Sequence, residues 1–370
     1  MARRIMILAG GTGGHVFPAL AVADDLLERG HELFWMGTRK GLEARLVPAK
    51  DIPIDWLAVT GLRGKSGMAR LQAPFMLLLA CGQALWIIMR RKPDVVLGMG
   101  GFVAGPGGLM AWLLRIPLVI HEQNRIPGTT NRLLAGRARK VLEAFPASFE
   151  PSVGAIWTGN PLRSMIAVSE ERRQRTGNRS VASEPLHLLV LGGSQGAQVL
   201  NLTVPEAVAK LEGAHIEVLH QSGPVMQAET DRRYRSLPID ACVEAFIEDM
   251  ASAYRWADVV VCRAGAMTIS ELCAVGLAAI LVPFPHAIDD HQTHNAHWLS
   301  DAGAAILLPQ TELNAETLKL KLELLMDDKK RLIMSRAARS LARLDAARTV
   351  ADICLGEIRN QQSGTGDPNE

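Results

Sequence analysis

The chain has few cysteines for its 370 residues, and none of them are spaced as in a metal or redox site. The five cysteines, at positions 81, 242, 262, 273 and 354, are odd in number and include no Cys-x-x-Cys pair. A disulfide framework and a thiolate zinc site are therefore both disfavoured, and a reducing cytoplasm fits best.

Net charge is also nearly absent, at +2, but the charge is unevenly distributed. Residues 56–142 contain twelve Lys or Arg against two acidic residues and carry +10, so the remainder carries −8 (2 − 10). Such a chain typically meets an anionic surface through one lobe. The basic stretch lacks interleaved aromatic residues and nucleic-acid-binding motifs, so we expect no nucleic-acid partner and favour an anionic membrane.

A secretory signal is poorly supported, because the apolar run at 5–9 is short and leads directly into a glycine-rich turn.

Residues 71–89 form an uncharged, mostly apolar run with basic flanks that is long enough to span a membrane. A span there would separate the first strand from the strand at 95–97 by a bilayer. We expect instead an interfacial helix or a core helix. On a helical wheel, positions 71, 75, 78, 79, 85, 86 and 89 share one face, and positions 76, 77, 87 and 88 share another.

The composition, 48% apolar and 21% charged with 33 glycines, is typical of a globular chain with about two domains. Short apolar runs alternate with helical stretches, which predicts an α/β fold of doubly wound parallel sheets. A strand at 5–9, a glycine-rich turn at 10–14 and a helix at 18–29 are predicted near the start of the chain. A strand at 186–191, a glycine-rich turn at 192–197 and another helix repeat this arrangement, and each set resembles the start of a Rossmann-like unit. Further strands are predicted at 95–97, 118–120, 141–142, 216–219, 259–262 and 279–282. The predicted domains are 1–163 and 164–340, with a helix at 341–360 that packs back on the first domain and a disordered tail at 361–370.

Both glycine-rich turns can bind phosphate, because their N–H groups and the following helix N-terminus converge on an anion. The first turn ends in His15, which either points into the crevice above the strand ends, where ligands bind, or caps the helix without a ligand. Arg263 precedes another helix start, where a cation is unfavourable unless an anion is bound. Glu271 either complements that helix dipole in its first turn or accepts the paired hydroxyls of a ribose.

The histidine-rich segment at 286–297 superficially resembles a metal site. Histidines three residues apart scarcely converge beyond the first pair, and no glutamate follows the metalloprotease spacing. We therefore predict no metal site, and the polar turn at 289–292 suits a hydroxyl-rich ligand instead.

Together these segments resemble the MurG family, the GT-B glycosyltransferases that make lipid II in peptidoglycan synthesis. The matching segments are specific and follow the family's order along nearly the whole chain. Phe102 departs from the tyrosine of many members, so any hydroxyl contact at that position is absent. The segments are 10–15, 98–101 with 105–108, 121–124, 159–161 with Arg163, 192–197, 246–250, 263–271 and 289–295.

The resemblance implies an inverting, metal-independent N-acetylglucosaminyltransferase without a cofactor, with two Rossmann-like domains facing across a cleft. The implied donor is UDP-GlcNAc, and the implied acceptor is the C4 hydroxyl of MurNAc in undecaprenyl-pyrophosphoryl-MurNAc-pentapeptide (lipid I). His15 is the expected base, with Glu122 as the alternative or orienting carboxylate. The protein is expected to be peripheral on the cytoplasmic face of the cell inner membrane, with an anionic membrane surface and cell-wall synthesis proteins as partners.

The resemblance also implies a role for individual donor-binding residues. Ile247 would contact the uracil through its backbone, while Gln292 and Asn124 would form hydrogen bonds with sugar hydroxyls. The implied donor-binding set is Thr12, Gly13, Gly14, Asn124, Arg163, Ser194, Gln195, Gly196, Ile247, Arg263, Ala266, Met267, Thr268, Glu271 and Gln292. The residues expected at the membrane are Leu71, Phe75, Leu79, Trp86, Arg90, Arg91 and Lys140.

Two alternatives stay open on the sequence. A UDP-GlcNAc 2-epimerase has the same architecture and would turn over UDP-GlcNAc without a lipid acceptor. A non-catalytic, membrane-docked nucleotide-sugar sensor would bind UDP-GlcNAc and release no UDP.

Overall fold

A computed structural model of the chain describes residues 2–59, 67–163, 185–193 and 195–363. The chain forms two compact units. The first comprises Met1–Arg163 together with Arg343–Glu370, and the second comprises Ser164–Ala342.

The first unit contains a parallel sheet with the strand order β3-β2-β1-β4-β5-β6-β7 in the described residues. The strands β1 and β4 lie at its centre and consist almost entirely of buried aliphatic residues. Burial on both faces is what a parallel sheet covered by helices requires. The strands are β1 (Arg4–Leu8), β2 (Glu32–Gly37), β3 (Ile54–Trp56), β4 (Val95–Gly98), β5 (Leu118–Glu122), β6 (Lys140–Glu143) and β7 (Ile156–Trp157).

The helices of the first unit include one from the end of the chain. They are α1 (Gly13–Glu28), α2 (Glu43–Leu46), α3 (Gly67–Arg91), α4 (Gly101–Leu113), α5 (Thr129–Ala135) and, after the second unit, α13 (Ala346–Ser363). Helix α13 packs on α1 and β4, and its Val350, Ala351 and Cys354 are buried in the same core as β1. The prediction of a disordered tail from residue 361 is wrong for residues 361–363, because α13 continues through Ser363. Residues 364–370 lie outside the described part of the chain.

The second unit contains a parallel sheet with the order β10-β9-β8-β11-β12-β13. Its strands are β8 (Leu186–Leu191), β9 (Ile216–Gln221), β10 (Asp240–Glu244), β11 (Val259–Cys262), β12 (Ala278–Leu281) and β13 (Ile306–Leu307). Its helices are α6 (Gln198–Ala209), α7 (Gln227–Arg235), α8 (Met250–Trp256), α9 (Ala266–Val275), α10 (His291–Ser300), α11 (Ala315–Leu325) and α12 (Asp328–Ser340).

Both sheets reverse their strand order beside the first strand of the unit. In the first sheet the chain proceeds outward from β1 through β2 and β3, then returns to place β4 on the other side of β1. In the second sheet the same reversal places β11 beside β8. Ligands of open α/β sheets bind at the carboxyl ends of the strands at such a reversal. The fold therefore positions two candidate sites, one after β1 and β4 and one after β8 and β11.

The first helix shows one error in the sequence-based boundaries. The sequence predicted a helix from Pro18, whereas α1 begins at Gly13 and continues through the proline. The first turn of a helix has unbonded N–H groups, so proline is favoured there, and this preference made Pro18 resemble a start. The earlier start places His15 within the helix rather than at the tip of the preceding turn.

Candidate active site

His15 lies in the first turn of α1, beside the segment that follows β5. Its Nδ1 lies 2.7 Å from Oε1 of Gln123. The Gln123 amide nitrogen lies 3.0 Å from both Nδ1 and the carbonyl oxygen of His121. The Nε2 of His121 in turn lies 2.9 Å from the carbonyl oxygen of Gly159. Four residues from distant parts of the sequence thus form one hydrogen-bonded chain that begins at the predicted base.

Gly100 provides the space that this chain requires. Its φ is +88°, and a Cβ there would lie 3.0 Å from Cε1 and Nδ1 of His15. Only glycine adopts this backbone conformation readily, and a larger residue would displace the imidazole. The glycine-rich segment after β4 therefore contributes room for the imidazole of His15, the predicted base.

Glu122 organises the loop after β5. Its Oε1 accepts hydrogen bonds from the backbone N–H and the side-chain amide of Asn124, at 3.0 and 3.3 Å. Its Oε2 accepts from the N–H of Gly128 at 3.0 Å and from the side-chain amide of Asn131 at 2.9 Å. Glu122 is buried, and two of its four bonds hold Asn124, one of the predicted donor-binding residues, in place.

The first glycine-rich turn is held by a buried carboxylate that the sequence analysis missed. Glu43 accepts hydrogen bonds from the N–H of Gly11 at 3.0 Å and from the N–H of Thr38 at 2.9 Å. Thr12 is extended, its carbonyl oxygen accepts from the N–H of His15, and Gly13 and Gly14 open α1. The guanidinium of Arg163 stacks 4.4 Å from the ring centre of Phe17, one turn farther along the same helix.

The second glycine-rich turn follows β8 and approaches the end of β9 very closely. Gly196 has a φ of +75°, and a Cβ on it would overlap the carbonyl oxygen of Ser222. Gln195 is exposed in this turn, which leads to α6. The predicted contact residue Ser194 lies outside the described part of the chain. The described part of the turn has the form of a phosphate-binding loop before a helix.

Gln221 connects this turn to Ile247, the residue predicted to meet the uracil. Its Nε2 donates to the carbonyl oxygen of Gly193 at 3.0 Å, and its Oε1 accepts from the N–H of Ile247 at 3.0 Å. The backbone N–H of Ile247 is therefore already paired, so the predicted contact with uracil would have to use the carbonyl oxygen. Gln221 lies at the end of β9, outside the recognised motifs, so no sequence signal identified it.

Arg263 follows β11, and its environment corrects one inference. Its Nη1 donates to the carbonyl oxygens of Val282 and Pro283, both at 3.1 Å, and its guanidinium lies 5.4 Å from the ring centre of Phe284. Burial lowers the pKa of Arg263 from its ordinary value. Because two carbonyl groups stabilise this cation, its position before a helix does not require a bound anion.

Helix α9 places the other predicted donor-binding residues of this segment. Ala266, Met267 and Thr268 form its first turn, whereas Glu271 lies beyond that turn. The alternative that Glu271 complements the helix dipole from the first turn is therefore wrong, since the dipole effect falls off within that turn. Gln292, on α10, accepts a hydrogen bond from the N–H of Phe284 at 3.0 Å.

The amphipathic segment at 71–89 lies within α3, with one face buried and one exposed. Ile87 and Ile88 pack into the core, and Phe75, Leu79 and Trp86 are 74%, 48% and 56% exposed. Leu77 is exposed as well, although the helical wheel grouped it with Ile87 and Ile88. The side chain of Leu71 lies outside the described part of the structure.

The basic residues near α3 differ in their pairing. Arg90 is exposed and lies 5.2 Å from the ring centre of Trp86. Arg91 forms a bidentate pair with Asp55, at 2.8 and 3.2 Å, so part of its charge is neutralised. Lys140 is exposed at the start of β6. No helix in the described part of the chain is long and apolar enough to cross a membrane.

A metal site would need several donor side chains that converge on one point within the described residues. Those residues contain no group of three or more His, Cys, Asp or Glu side chains that could hold a metal ion. The histidine-rich segment instead forms a turn and the start of α10, where buried Asn295 donates to the carbonyl oxygen of Ala264 at 3.2 Å.

Two parallel-sheet α/β units, each with a glycine-rich turn at its strand reversal, define the GT-B class of glycosyltransferase fold. The profile of the glycosyltransferase family 28 N-terminal domain matches residues 5–143, and that of the family 28 C-terminal domain matches residues 187–351. The chain belongs to glycosyltransferase family 28.

Individual relatives agree with this assignment. A protein of Methylococcus capsulatus is 60% identical over 96% of this chain and 99% of its own length, and is named UDP-N-acetylglucosamine--N-acetylmuramyl-(pentapeptide) pyrophosphoryl-undecaprenol N-acetylglucosamine transferase. The crystal structure of MurG from Acinetobacter baumannii has a TM-score of 0.83 at 39% identity, covering 96% of this chain and 99% of that one. A UDP-GlcNAc 2-epimerase from Neisseria meningitidis shares the fold alone, with a TM-score of 0.64 at 11% identity over 95% of this chain and 99% of that one.

Proposed function

We propose that this chain transfers N-acetylglucosamine from UDP-GlcNAc to the C4 hydroxyl of the muramyl sugar in lipid I, giving lipid II and UDP. The observation that carries the proposal is the 60% identity, along nearly the whole chain, to a transferase whose name specifies this sugar and this acceptor. The hydrogen-bonded His15 at the first strand reversal supports it, because the acceptor hydroxyl must lose a proton.

His15 acts as the general base in this proposal. Its Nε2 takes the proton of the C4 hydroxyl while the hydroxyl oxygen bonds to the anomeric carbon of the donor sugar. The bond between that carbon and the diphosphate oxygen breaks, and UDP leaves with the electron pair. A single displacement inverts the anomeric carbon, and general base catalysis contributes about 10²–10⁴-fold to such a step.

Glu122 serves as the orienting carboxylate rather than the base. Both of its oxygens already accept two hydrogen bonds each, from Asn124 and Gly128 in the loop after β5 and from Asn131 on α5. A carboxylate that turned toward a substrate would lose these bonds, and the loss of the bond to the buried Asn131 amide costs about 1–3 kcal/mol by itself.

The second unit binds the nucleotide in this proposal. The diphosphate binds to backbone N–H groups of the turn at Gln195 and Gly196 and of the start of α6. Glu271 accepts hydrogen bonds from the ribose hydroxyls. Helix N-termini and arginines supply the positive charge, so no metal is required. Exhaustive chelation with EDTA should leave the rate unchanged, and activity that is lost and then restored by one stoichiometric metal would contradict this part of the proposal.

The test is UDP release from UDP-GlcNAc with and without a lipid I analogue. We expect release only with the acceptor, together with transfer of the sugar to it. Turnover of UDP-GlcNAc without the acceptor would support the epimerase, and binding without UDP release would support the sensor. His15→Ala should lower kcat by about 10²–10⁴-fold with little change in donor affinity. His31→Ala, just beyond the other end of the same helix, is the matched control.

We further propose that the first unit attaches the protein reversibly to anionic membranes. Three helices that pack in succession, α3, α4 and α5, all expose large apolar side chains in the first unit. These include Phe75, Leu78 and Trp86 on α3, Trp112 and Leu113 on α4, and Leu133 on α5.

Basic side chains lie against the aromatic part of this surface. Arg90 stacks on Trp86, and Arg137 lies 5.4 Å from the ring centre of Trp112. An arginine beside an interfacial tryptophan can meet a lipid phosphate while the ring enters the boundary of the acyl chains. Attachment to the cytoplasmic face of the cell inner membrane, where lipid I is the substrate, follows from this proposal.

A further inference from the structure

Gln123 bridges two histidines and does not belong to any role assigned above. It follows β5, and His15 and His121 lie at opposite ends of its side-chain amide. All three side chains belong to the first unit, and Gln123 and His121 are buried.

The orientation of the Gln123 amide is fixed by a backbone group. One end of the amide lies 3.0 Å from the carbonyl oxygen of His121, and a carbonyl oxygen can only accept a hydrogen bond. That end must therefore be the NH₂ group. A flipped amide would bring two oxygens to this distance and would lose the bond.

The amide orientation determines which nitrogen of His15 carries hydrogen. The end that faces His15, at 2.7 Å, is the carbonyl oxygen Oε1, which has no hydrogen to donate. Nδ1 of His15 must then be the donor. In the neutral ring, the lone pair lies on Nε2, which is the nitrogen that a general base uses in this arrangement.

The other end of the bridge is consistent with the same proton positions. The Gln123 NH₂ donates to Nδ1 of His121, so Nε2 of neutral His121 carries hydrogen and donates to the carbonyl oxygen of Gly159. Burial lowers the pKa of His121 to about 4, which keeps this ring neutral near pH 7. The neighbouring Asn160 donates to the backbone carbonyl oxygen of Gln123 at 3.1 Å and holds its main chain.

We propose that Gln123 is a positioning residue that holds His15 as the Nδ1–H tautomer and so presents the Nε2 lone pair to the acceptor hydroxyl. The proposal rests on the proposed role of His15 as base. Free histidine in water favours the opposite, Nε2–H tautomer, which has no lone pair at the reacting nitrogen. The glutamine therefore selects the reactive form without adding a charge, unlike the aspartate of a serine protease triad.

The first test is independent of activity. With ¹⁵N-labelled histidine, and His15 assigned by comparison with His15→Gln, NMR should show a protonated Nδ1 and an unprotonated Nε2 at neutral pH. Gln123→Met, which keeps the length of the side chain without the amide, should shift His15 toward the Nε2–H form. The Nε2–H tautomer in the unchanged protein, or the same tautomer ratio in Gln123→Met, would overturn the proposal.

The second test uses kinetics to separate positioning from general structural damage. Gln123→Met should lower kcat by about ten- to a hundredfold with little change in KM, whereas Gln361→Met, an exposed glutamine of the same unit, should not. In a His15→Ala background, Gln123→Met should cause no further loss, because it acts only through His15. Additive losses in the double variant would contradict the proposal. A small loss in His15→Ala alone would instead contradict the role of His15 as base, while the NMR result would still decide the role of Gln123.

Discussion

The hydroxyl of Tyr254 lies 2.8 Å from Oε2 of Glu271. Tyr254 is buried on α8, and Glu271 lies on the neighbouring α9. The phenol can donate a hydrogen bond that fixes the orientation of the carboxylate. A carboxylate oriented in this way can accept the paired hydroxyls of a ribose without first losing side-chain entropy.

Replacing Glu271 should weaken the binding of UDP and UDP-GlcNAc equally, because both contain the ribose. A hydrogen bond to a charged group contributes about 1.5–3 kcal/mol, so we expect Glu271→Ala to raise Kd by about 10- to 100-fold. Tyr254→Phe should raise it by only a few-fold. Titration calorimetry measures both, with Glu323→Ala, an exposed carboxylate of the same unit, as the control. Unchanged affinity for both ligands in Glu271→Ala would remove the residue from the ribose site.

Replacing Gln221 should also weaken UDP binding, for a different reason. Its side chain joins the carbonyl oxygen of Gly193 to the N–H of Ile247, and so couples the second glycine-rich turn to the predicted uracil pocket. Gln221→Leu leaves both backbone groups without this partner, and we expect Kd for UDP to rise by about tenfold. Gln227→Leu, which removes a single bond to the carbonyl oxygen of Val243, is the matched control. Equal UDP affinity in the two variants would argue against this coupling.

Gly100→Ala should reduce activity more than it reduces stability. The added methyl group would lie 3.0 Å from the imidazole of His15, in addition to the strain of a φ of +88°. Gly30→Ala also places a side chain at a positive φ, of +77°, but its methyl group would meet no atom within 4 Å. Gly30→Ala should lose about 1 kcal/mol of stability and Gly100→Ala about 1–3 kcal/mol, and only Gly100→Ala should lose activity by tenfold or more. Equal kcat in the two variants would show that the imidazole is not displaced.

Two buried histidines should make the protein less stable as the pH falls below neutral. Burial lowers the pKa of His121 to about 4 and that of His220 to about 3, against an ordinary value of 6.5. Below pH 6.5 the unfolded chain therefore binds protons that the folded chain does not. The contribution of these histidines to the free energy of unfolding is complete above pH 6.5 and falls as the pH decreases toward 4. Between pH 7 and 5.5 the loss should be about 1 kcal/mol for each histidine.

The thermal midpoint Tm as a function of pH tests this expectation. His121→Gln and His220→Gln should each have a lower Tm at pH 7 and a shallower decrease of Tm down to pH 5.5. His297→Gln, at an exposed position on α10, is the control and should retain the slope of the unchanged protein. A slope that is unchanged in both buried variants would show that other groups cause the acid sensitivity.

Serine in place of Phe75, Leu79 and Trp86 should weaken attachment to vesicles without unfolding the first unit. All three side chains are at least 48% exposed, so their removal costs little core burial. Each inserted apolar side chain contributes about 1.5–3 kcal/mol, and each nearby basic residue contributes about 1 kcal/mol. Co-sedimentation should therefore show binding to anionic vesicles that declines with salt and falls further in the triple variant.

A matched triple variant controls for the loss of exposed apolar surface. Leu320, Leu324 and Ile333 of the second unit are 42–66% exposed, and their replacement by serine should leave vesicle binding unchanged. Equal binding of the unchanged protein to neutral and anionic vesicles, or none to either, would show that the basic residues serve another purpose. Circular dichroism of each variant is the check that it is folded.

The sequence predicted the buried strands well where both faces are covered. The runs at 186–191 and 259–262 are strands with those bounds, because nearly all of their residues are buried and apolar, His187 being the exception. Strands β2, β3, β7, β10 and β13 were not predicted; β3, β7, β10 and β13 consist of half-buried or exposed positions, which weaken the signal, whereas β2 is buried apart from Glu32. Glu43 and Gln221 are likewise invisible in the sequence, since each bonds to backbone groups far along the chain.

The sequence by itself determined the α/β class and the two glycine-rich turns, because these depend on local composition and on the order of strands and helices. Only the tertiary structure decided what surrounds His15. Strands β5 and β7 are parallel and end at the same edge of one sheet. The segments that follow them therefore bring together the ring of His121, the amide of Gln123 and the carbonyl oxygen of Gly159. A proton position is set by the geometry of its neighbours, and residues more than a hundred positions apart become neighbours only when the sheet has formed.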